Sequence, residues 1–492
     1  MQLPAKVIVG LHAWALSSLV ALYLFNSDNL SSPSPPVWTQ EDFACVAWRS
    51  TGNCGRDEPT LWDACLSNVP LPAAGYCEVR NKTSGQRFRV MRSTCRSTKH
   101  VEYSCDDARD FMNFAPLSER YVHAPTAPLF TLPWYAASDE TRGIVMVIQG
   151  RSLVSTYANV RWLRSLGCVL PIELWYRDDE TSVADPIVQH LLAQDPFVTL
   201  RLIDDARATS FYTKPFALYY SAFEHVLLLD TDNFAVSDPT PLFDSTEYKA
   251  HGALFWPDFW QPSNTIFNVH DESLLWYPEL LTFSTRTGHR ELLGIEPAEM
   301  FEQESGQVLV HRRRHRRALD MLMFYAIERP PLFARLQLVW GDKDLYRLAW
   351  LKTRSSFHMQ RRPPGALGVH HSQYPRFCGL GMVQYDDTGA EAFFHRNTIK
   401  FSRNATTNEL HHWTHLQTFV ADGDPKSFQP QSWNGREQYG QDSCFGVELY
   451  MHSRLDDGSL AFDVVPVADT RFAAVEAQLI RFAQAALALT SK

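Results

Sequence analysis

The stretch His225-Val-Leu-Leu-Leu-Asp-Thr-Asp-Asn-Phe234 decides the fold. Val226 to Leu229 are a short continuous apolar run, the pattern of a strand buried on both faces. The run stops on two carboxylates, Asp230 and Asp232, one residue apart. In open α/β sheets, ligands collect beyond the carboxyl ends of the strands. Hard oxygen donors placed there suit Mn²⁺ or Mg²⁺, which bind one or two protein carboxylates and share the rest of their shell with substrate phosphates. A phosphorylated donor fits such a site better than a peptide or nucleic-acid polymer. Taken alone, the two acids also suit a turn or a helix cap, since Asp favours both. The surrounding segments therefore carry the decision.

Upstream, Gly143-Ile-Val-Met-Val-Ile-Gln-Gly150 predicts a first buried strand, 153–165 a helix, Leu170-Pro-Ile-Glu-Leu-Trp-Tyr176 a second strand and 197–203 a third. Lys214-Pro-Phe-Ala-Leu-Tyr-Tyr-Ser-Ala-Phe223 reads as a short helix with Pro in its first turn, leading into the strand that ends at Asp230. Strands alternating with helices predict an α/β fold with a Rossmann-like, mostly parallel sheet. One domain over 140–425 accommodates it. A C-terminal extension, 426–492, ends in an Ala-rich amphipathic helix from about 469 to 488, expected to serve packing.

The amino terminus points to a membrane-tethered, exported body. Residues 7–25 carry no Asp, Glu, Lys or Arg, and as a helix would span about 28 Å, close to the hydrocarbon thickness of a bilayer. Lys6 precedes them and Asp28 follows, so the positive-inside rule leaves 1–6 as a cytosolic tail and sends the rest to the lumen. A cleaved signal peptide is the rival, but the apolar stretch is long for one and no clear Ala-x-Ala site follows. Residues 26–42, with Ser31-Ser-Pro-Ser-Pro-Pro36, form a stem. Residues 43–110 hold six of the nine cysteines, Cys45, Cys54, Cys65, Cys77, Cys95 and Cys105, which read as a disulfide framework. Zinc is disfavoured because no Cys-x-x-Cys pair occurs there. A connector, 111–139, leads to the main domain. Cys168, Cys378 and Cys444 remain, so at least one thiol is free or pairs outside the chain. Sequons at Asn81 and Asn404 are candidate glycan sites.

Charge narrows the partners. Fifty-five acidic against 46 basic residues give a net charge of −9, which argues against nucleic acid. The run His311-Arg-Arg-Arg-His-Arg-Arg317 is a local exception. It reads first as a solvated helix start, and alternatively as an electropositive rim for a diphosphate or an acidic acceptor.

Several motifs fall in a familiar order: Val147-Ile-Gln-Gly-Arg151, Leu170 to Tyr176, Lys214-Pro-Phe-Ala217, Leu229-Asp-Thr-Asp-Asn233, Asp238-Pro-Thr-Pro-Leu-Phe243, Ala253-Leu-Phe-Trp-Pro-Asp258, Gln303-Glu-Ser-Gly-Gln307, Gly341-Asp-Lys-Asp344 and Phe394-His-Arg-Asn-Thr-Ile-Lys400. Over roughly 140–402 the chain resembles the fungal-type α-mannosyltransferases of glycosyltransferase family 71, with their nucleotide-diphospho-sugar (GT-A) fold. The resemblance implies a retaining transferase that moves mannose from GDP-mannose, with Mn²⁺ (or Mg²⁺), onto a mannose-containing glycan. It also implies a single-pass type II protein of the Golgi membrane with its catalytic domain in the lumen.

Residue roles follow from it. Asp232 is expected as the first metal ligand, with Asp230 holding metal, ribose or both. His395 completes the shell and Lys400 meets the diphosphate, while His370 and His371 are competitors for the histidine role. Gln149, Gly150, Arg151 and Lys214 are expected at the nucleotide. Glu304, Asp342 and Asp344 are candidates for the acceptor side, where a carboxylate can hold a sugar hydroxyl, shield an oxocarbenium-like centre or act as nucleophile. The leaving phosphate itself is an alternative base. Trp256, Trp260 and Trp340 are candidate sugar-stacking residues, with core packing the blander reading. The arginine-rich 311–317 and Tyr385 depart from the family pattern. Other readings are a UDP-sugar-dependent galactosyl- or glucosyltransferase, a membrane-anchored glycan-binding protein, and a phosphatase of the haloacid-dehalogenase type. Phe234 disfavours the last, because those enzymes want Thr or Val at that position. Oligomeric state is not legible.

Overall fold

The computed structural model describes residues 43–50, 61–63, 75–85, 87–93, 141–259, 302–327, 341–371, 373–374, 376–403, 413–420, 430–447 and 462–490. The expected membrane span and stem, Trp260, Trp340, Asn404 and most of the cysteine-rich module lie outside these residues.

Within 43–93, strands β1 (Phe43–Ser50), β2 (Leu61–Asp63), β3 (Gly75–Asn81) and β4 (Arg87–Ser93) form an antiparallel sheet in the order β2-β1-β3-β4. At the end of β3, the Asn81 carbonyl oxygen accepts from the Thr83 and Ser84 amides, both at 2.9 Å, so this side chain closes a turn.

The main sheet has seven strands. In chain order they are β5 (Arg142–Val147), β6 (Ile172–Tyr176), β7 (Val198–Leu202), β8 (His225–Leu229), β10 (Ala253–Pro257), β11 (Gln303–His311) and β12 (His358–Met359). Their spatial order is β12-β10-β11-β8-β5-β6-β7, with β9 (Asn233–Ala235) belonging to a second sheet. The pairs β5–β6, β6–β7, β5–β8 and β10–β12 are parallel, whereas β11 runs antiparallel to both β8 and β10. The sheet is therefore mixed, mostly parallel with one reversed strand near its centre. Every residue of β8 is buried, as its unbroken apolar sequence requires.

The strand order contains a switch. From β5 the chain steps outward to β6 and β7 through helices α1 (Leu153–Ser165) and α2 (Pro186–Gln194), then returns past β5 to β8 through α3 (Thr213–Tyr220). Right-handed crossovers in opposite directions place helices on opposite faces. Accordingly α1, α2 and the C-terminal α7 (Phe472–Thr490) pack together, and α3 packs with α5 (Arg316–Ile327), which packs on α6 (Leu345–Lys352). The crevice between the carboxyl ends of β5 and β8 is the topological switch point, where such sheets bind ligands.

The second sheet is antiparallel and was not anticipated from sequence. Strands β13 (Gly365–Val369), β14 (Cys378–Tyr385), β15 (Glu391–His395), β16 (His415–Phe419), β17 (Gln431–Gly435), β18 (Gln441–Gly446) and β19 (Phe462–Pro466) join β9 in it. Strands on both sides of residue 425 share this sheet, so the segment after 425 is continuous with the domain before it. Cys378 and Cys444 form a disulfide tying β14 to β18, and among the described residues Cys168 is a buried free thiol.

Helix α7 is long and apolar enough to cross a bilayer by length and composition. One face of it packs on the core, with Leu479, Ala483 and Ala486 fully buried, and the helix lies against α1. Both oxygens of the buried Glu476 carboxylate accept from one nitrogen of Arg396, Nη1, at 2.6 and 2.7 Å. The guanidinium also lies 4.0 Å over Phe401 and 5.0 Å over Trp413. Removing one partner of such a pair strands a buried charge, which typically costs about 3–5 kcal/mol. Glu476→Ala should lower unfolding free energy by that amount in denaturant titration, whereas alanine at the exposed Glu437 should change it little.

Candidate functional site

Where β8 ends, the chain turns sharply. The Asp230 amide donates to Gly306 on β11 at 2.8 Å, and the Asn233 amide returns to the Asp230 carbonyl at 3.0 Å. Asn159, fully buried on α1, spans the turn with its amide nitrogen 3.2, 3.3 and 2.8 Å from the carbonyls of Asp230, Thr231 and Asn233. The nitrogen of this buried amide is satisfied by those carbonyls, while its Oδ1 makes no hydrogen bond. The nitrogen thereby fixes the turn that aims both carboxylates.

Strand β9 follows at once and pairs with β15, setting His395 opposite Asn233. The Arg396 amide donates to the Asp232 carbonyl at 2.9 Å. This register brings His395 Nε2 to 3.3 Å from the Asp232 carboxylate, across 163 residues of sequence. Ligand atoms of Asp230, Asp232 and His395 all lie within 4.8 Å of one another. Behind the imidazole, Nδ1 faces Glu304 at 3.5 Å and makes no hydrogen bond of normal geometry. Glu304 is itself fixed by the Gly306 amide at 2.7 Å. Two carboxylates and an imidazole are donor types that suit a divalent cation, and a third carboxylate stands behind the ring.

The charges in the site are tightly coupled. Burial alone would pull His395 down, but Asp232 and Glu304 push it up to about 10. Burial raises Asp232, yet His395 and Lys400 outweigh it and hold the carboxyl well below the usual range. Glu304 follows the same balance, with burial opposed by His395, and falls to about 2. Lys400 forms an ion pair with Asp232 while more than half of its side chain stays exposed.

Lys214 lies on the other side of Asp230. Its ammonium is 3.0 Å from Asp230 and 3.1 Å from Asp342, and it donates to the Ser305 carbonyl at 3.1 Å. Asp342 is fully engaged, accepting also from Ser305 at 3.1 Å and Tyr346 at 2.8 Å. These groups line a cleft of about 1030 Å³ together with Gln149, Arg151, Glu302, Lys343 and Asn397. Gln149 and Arg151 sit at the β5 end of the switch point, hydrogen-bonded to each other at 2.8 Å. Gly150 lies beside them outside the lining, its amide 3.2 Å from the Glu180 carbonyl.

The structure thus gathers Asp230, Asp232, His395, Lys400, Lys214, Gln149, Arg151, Glu304 and Asp342. It does not bring Asp344 into the cleft. That carboxylate is buried, paired with Arg347, and accepts the Gln303 amide at 3.0 Å, so it organises the start of α6. His370 and His371 also lie away from the lining, His371 stacking on Tyr439. Trp256 is a core residue, fully buried and donating to the Tyr385 carbonyl at 3.0 Å. The basic run makes no rim. Buried Arg312 donates to the carbonyls of Ser221 and Phe223, both at 2.7 Å, and so caps the carboxyl end of α3. Sequence reasoning passed over Asn159, Glu302 and Lys343. Burial, followed by the charges of Asp344 and Asp258, pushes Glu302 up to about 8, while Lys343 pairs with the buried Asp258.

The family model described as "Mannosyltransferase putative" matches residues 141–386, half of the chain. The chain belongs to this mannosyltransferase family. Similar proteins include an alpha-1,2-mannosyltransferase, MNN21, of Candida albicans, 29% identical over an alignment of 282 residues that covers 50% of this chain and 42% of that protein. The MNN2 alpha-1,2-mannosyltransferase of Saccharomyces cerevisiae is 25% identical over 273 residues, 50% of this chain and 45% of that protein. The chain thus spans less than half the length of these two relatives. Among solved structures, the mannosyltransferase Ktr4p of S. cerevisiae aligns with a TM-score of 0.32 and 13% identity, covering 56% of this chain and 82% of that one. The matched stretch of the mannosyltransferase family includes Asp230, Asp232, Glu304 and Asp342 and stops before His395.

Gly306 is where this packing is tightest. A Cβ there would lie 2.8 Å from His395 Nδ1 and 3.0 Å from both Asn233 and Glu304. Gly306→Ala should displace the imidazole and weaken Mn²⁺ binding by about 10- to 100-fold, the usual range for disturbing a ligand's support. Calorimetric titration checks this, with circular dichroism confirming the fold.

Proposed function

We propose that the chain is a metal-dependent retaining mannosyltransferase that takes mannose from GDP-mannose and places it on a mannose-containing glycan. The observation that supports this best is the convergence of Asp230, Asp232 and His395 at the switch-point cleft of a mannosyltransferase-family domain. In this reading Asp230, Asp232 and His395 hold Mn²⁺, with Glu304 positioning the imidazole. When bound, the cation supplies positive charge opposite the departing diphosphate. Lys400, half in solvent beside Asp232, adds a second cation at the same end. Gln149 and Arg151 present donors to the nucleotide, and Lys214 keeps Asp230 and Asp342 from repelling each other.

The engagement of the carboxylates bears on the reaction itself. Of the acids lining the cleft, Asp230 and Asp232 serve the cation, Glu304 serves His395, and both oxygens of Asp342 are taken by Lys214, Ser305 and Tyr346. Burial, followed by the charge of Asp344, raises the Glu302 carboxyl, which weakens it as an attacking carboxylate. None is left as a free nucleophile among the described residues. The donor's own phosphate oxygen then takes the proton of the acceptor hydroxyl as the sugar–phosphate bond breaks and the new glycosidic bond forms on the same face. Residues 7–25 would anchor the chain as a type II protein of the Golgi membrane, with the cleft in the lumen.

A donor screen on the full chain in detergent, scored by nucleoside diphosphate release, tests the proposal. Release from GDP-mannose should need Mn²⁺ and fall about 100- to 1000-fold in Asp232→Asn, the scale expected when transition-state charge stabilisation is lost. Turnover of UDP-sugars but not GDP-mannose would overturn the donor assignment, and full activity in chelator would overturn the metal.

A further inference from the structure

A second set of metal-type ligands lies at the far edge of the main sheet. Glu247 and His251 stand one turn apart on helix α4 (Thr246–His251), which Gly252 ends in the left-handed conformation at φ 74°. Strand β10 then starts at Ala253, and the edge strand β12 runs parallel to it with His358 opposite Leu254. This places the rings of His251 and His358 in a stacked arrangement, centroids 5.9 Å apart. Ligand atoms of Glu247, His251 and His358 lie within 4.8 Å of one another.

The hydrogen bonds around the two rings give the set its direction. His251 Nδ1 is held by Ser356 Oγ at 2.7 Å, and His358 Nε2 by the Asp387 carboxylate at 2.6 Å. Asp387 is steadied in turn by Gln360 at 3.2 Å. The opposite nitrogens, His251 Nε2 and His358 Nδ1, point to one oxygen of Glu247 at 3.7 and 3.5 Å. Ligands sharing a tetrahedral ion at about 2.0–2.1 Å stand roughly 3.3 Å apart, and the Glu247 oxygen lies near that distance from both rings. Each imidazole thus has one nitrogen fixed by an oxygen and the other turned inward, the arrangement in which a carboxylate behind a histidine sets tautomer and aim.

We propose that Glu247, His251 and His358 form a second divalent-cation site, selective for Zn²⁺, with Asp387 and Ser356 as positioning residues. Two imidazoles and one carboxylate favour zinc over manganese or magnesium. The ion would clip α4 and the edge strand β12 together, with the turn at Asp386–Gly389 reached through Asp387. A two-residue strand at a sheet edge has few backbone bonds of its own, so such a clip stabilises what the ladder cannot.

The test is zinc content per full-length chain after equilibrium dialysis at micromolar free Zn²⁺. It is run in an Asp232→Asn background, so that the cleft does not contribute. His251→Gln and His358→Gln should each remove one zinc per chain, and Zn²⁺ should raise Tm in the parent but not in either variant. Equal Tm values in chelator establish that the variants remain folded. Bound Co²⁺ should give the intense visible bands of a four-coordinate site in the parent alone. Zinc content unchanged by both substitutions, or no zinc retained by the parent, would overturn the site and leave the cluster as an ordinary ion-pair network.

Discussion

The three-residue pairing of β9 with β15 is the constraint on which the site depends. Asp230 and Asp232 are delivered by β8, but a carboxylate pair at a strand end is an incomplete shell. The partner histidine comes from a different sheet, and its position follows from register. With His395 opposite Asn233, its ring falls beside Asp232. A slip of one residue would turn the imidazole to the other face. The register is held at one end by the Arg396 amide on the Asp232 carbonyl, with Arg396 locked to Glu476 of the last helix, and at the other by the Val236 amide on the Ala392 carbonyl. The C-terminal helix thereby acts on the cleft without lining it.

Electrostatics explains why so many charges tolerate burial together. Asp232, Glu304, Asp342, His395 and Lys214 sit within one network in which every carboxylate has a cation at hydrogen-bond or ion-pair distance. Unpaired, each would cost several kcal/mol to bury. Paired in this way, the charges are held in fixed positions, which leaves little reorganisation to a reaction step.

Much of the fold was legible because its signals are local. The apolar run before Asp230, the strand ending at Gln149 and Gly150, and the helix at 153–165 each carry their own periodicity, and each stands within a few residues of its expected place. The antiparallel sheet was not legible. Its strands pair across long separations, as β16 does with β19 and β9 with β15, and nothing local marks which partner a strand will find. The same limit applies to side chains. Asp342 and Asp344 look alike in Gly-Asp-Lys-Asp, yet a left-handed turn at Asp344 (φ 59°) sends one to Lys214 in the cleft and the other to Arg347 behind it. Glu304 looked like an acceptor-side acid, and only its place behind His395 recasts it as a support. Asn159 could have been suspected as a polar residue within a buried helix face, although its three carbonyl partners could not.

The proposed function rests on Asp230, Asp232 and His395 acting as one cation site. Pulsed electron paramagnetic resonance of bound Mn²⁺ reads it most directly, because a coordinated imidazole nitrogen modulates the echo. In a His251→Gln/His358→Gln background, the chain should show this nitrogen signal, and His395→Gln should abolish it while the carboxylates retain weaker Mn²⁺ binding. A nitrogen signal that persists in His395→Gln, or Mn²⁺ binding of unchanged affinity in Asp232→Asn, would contradict the account.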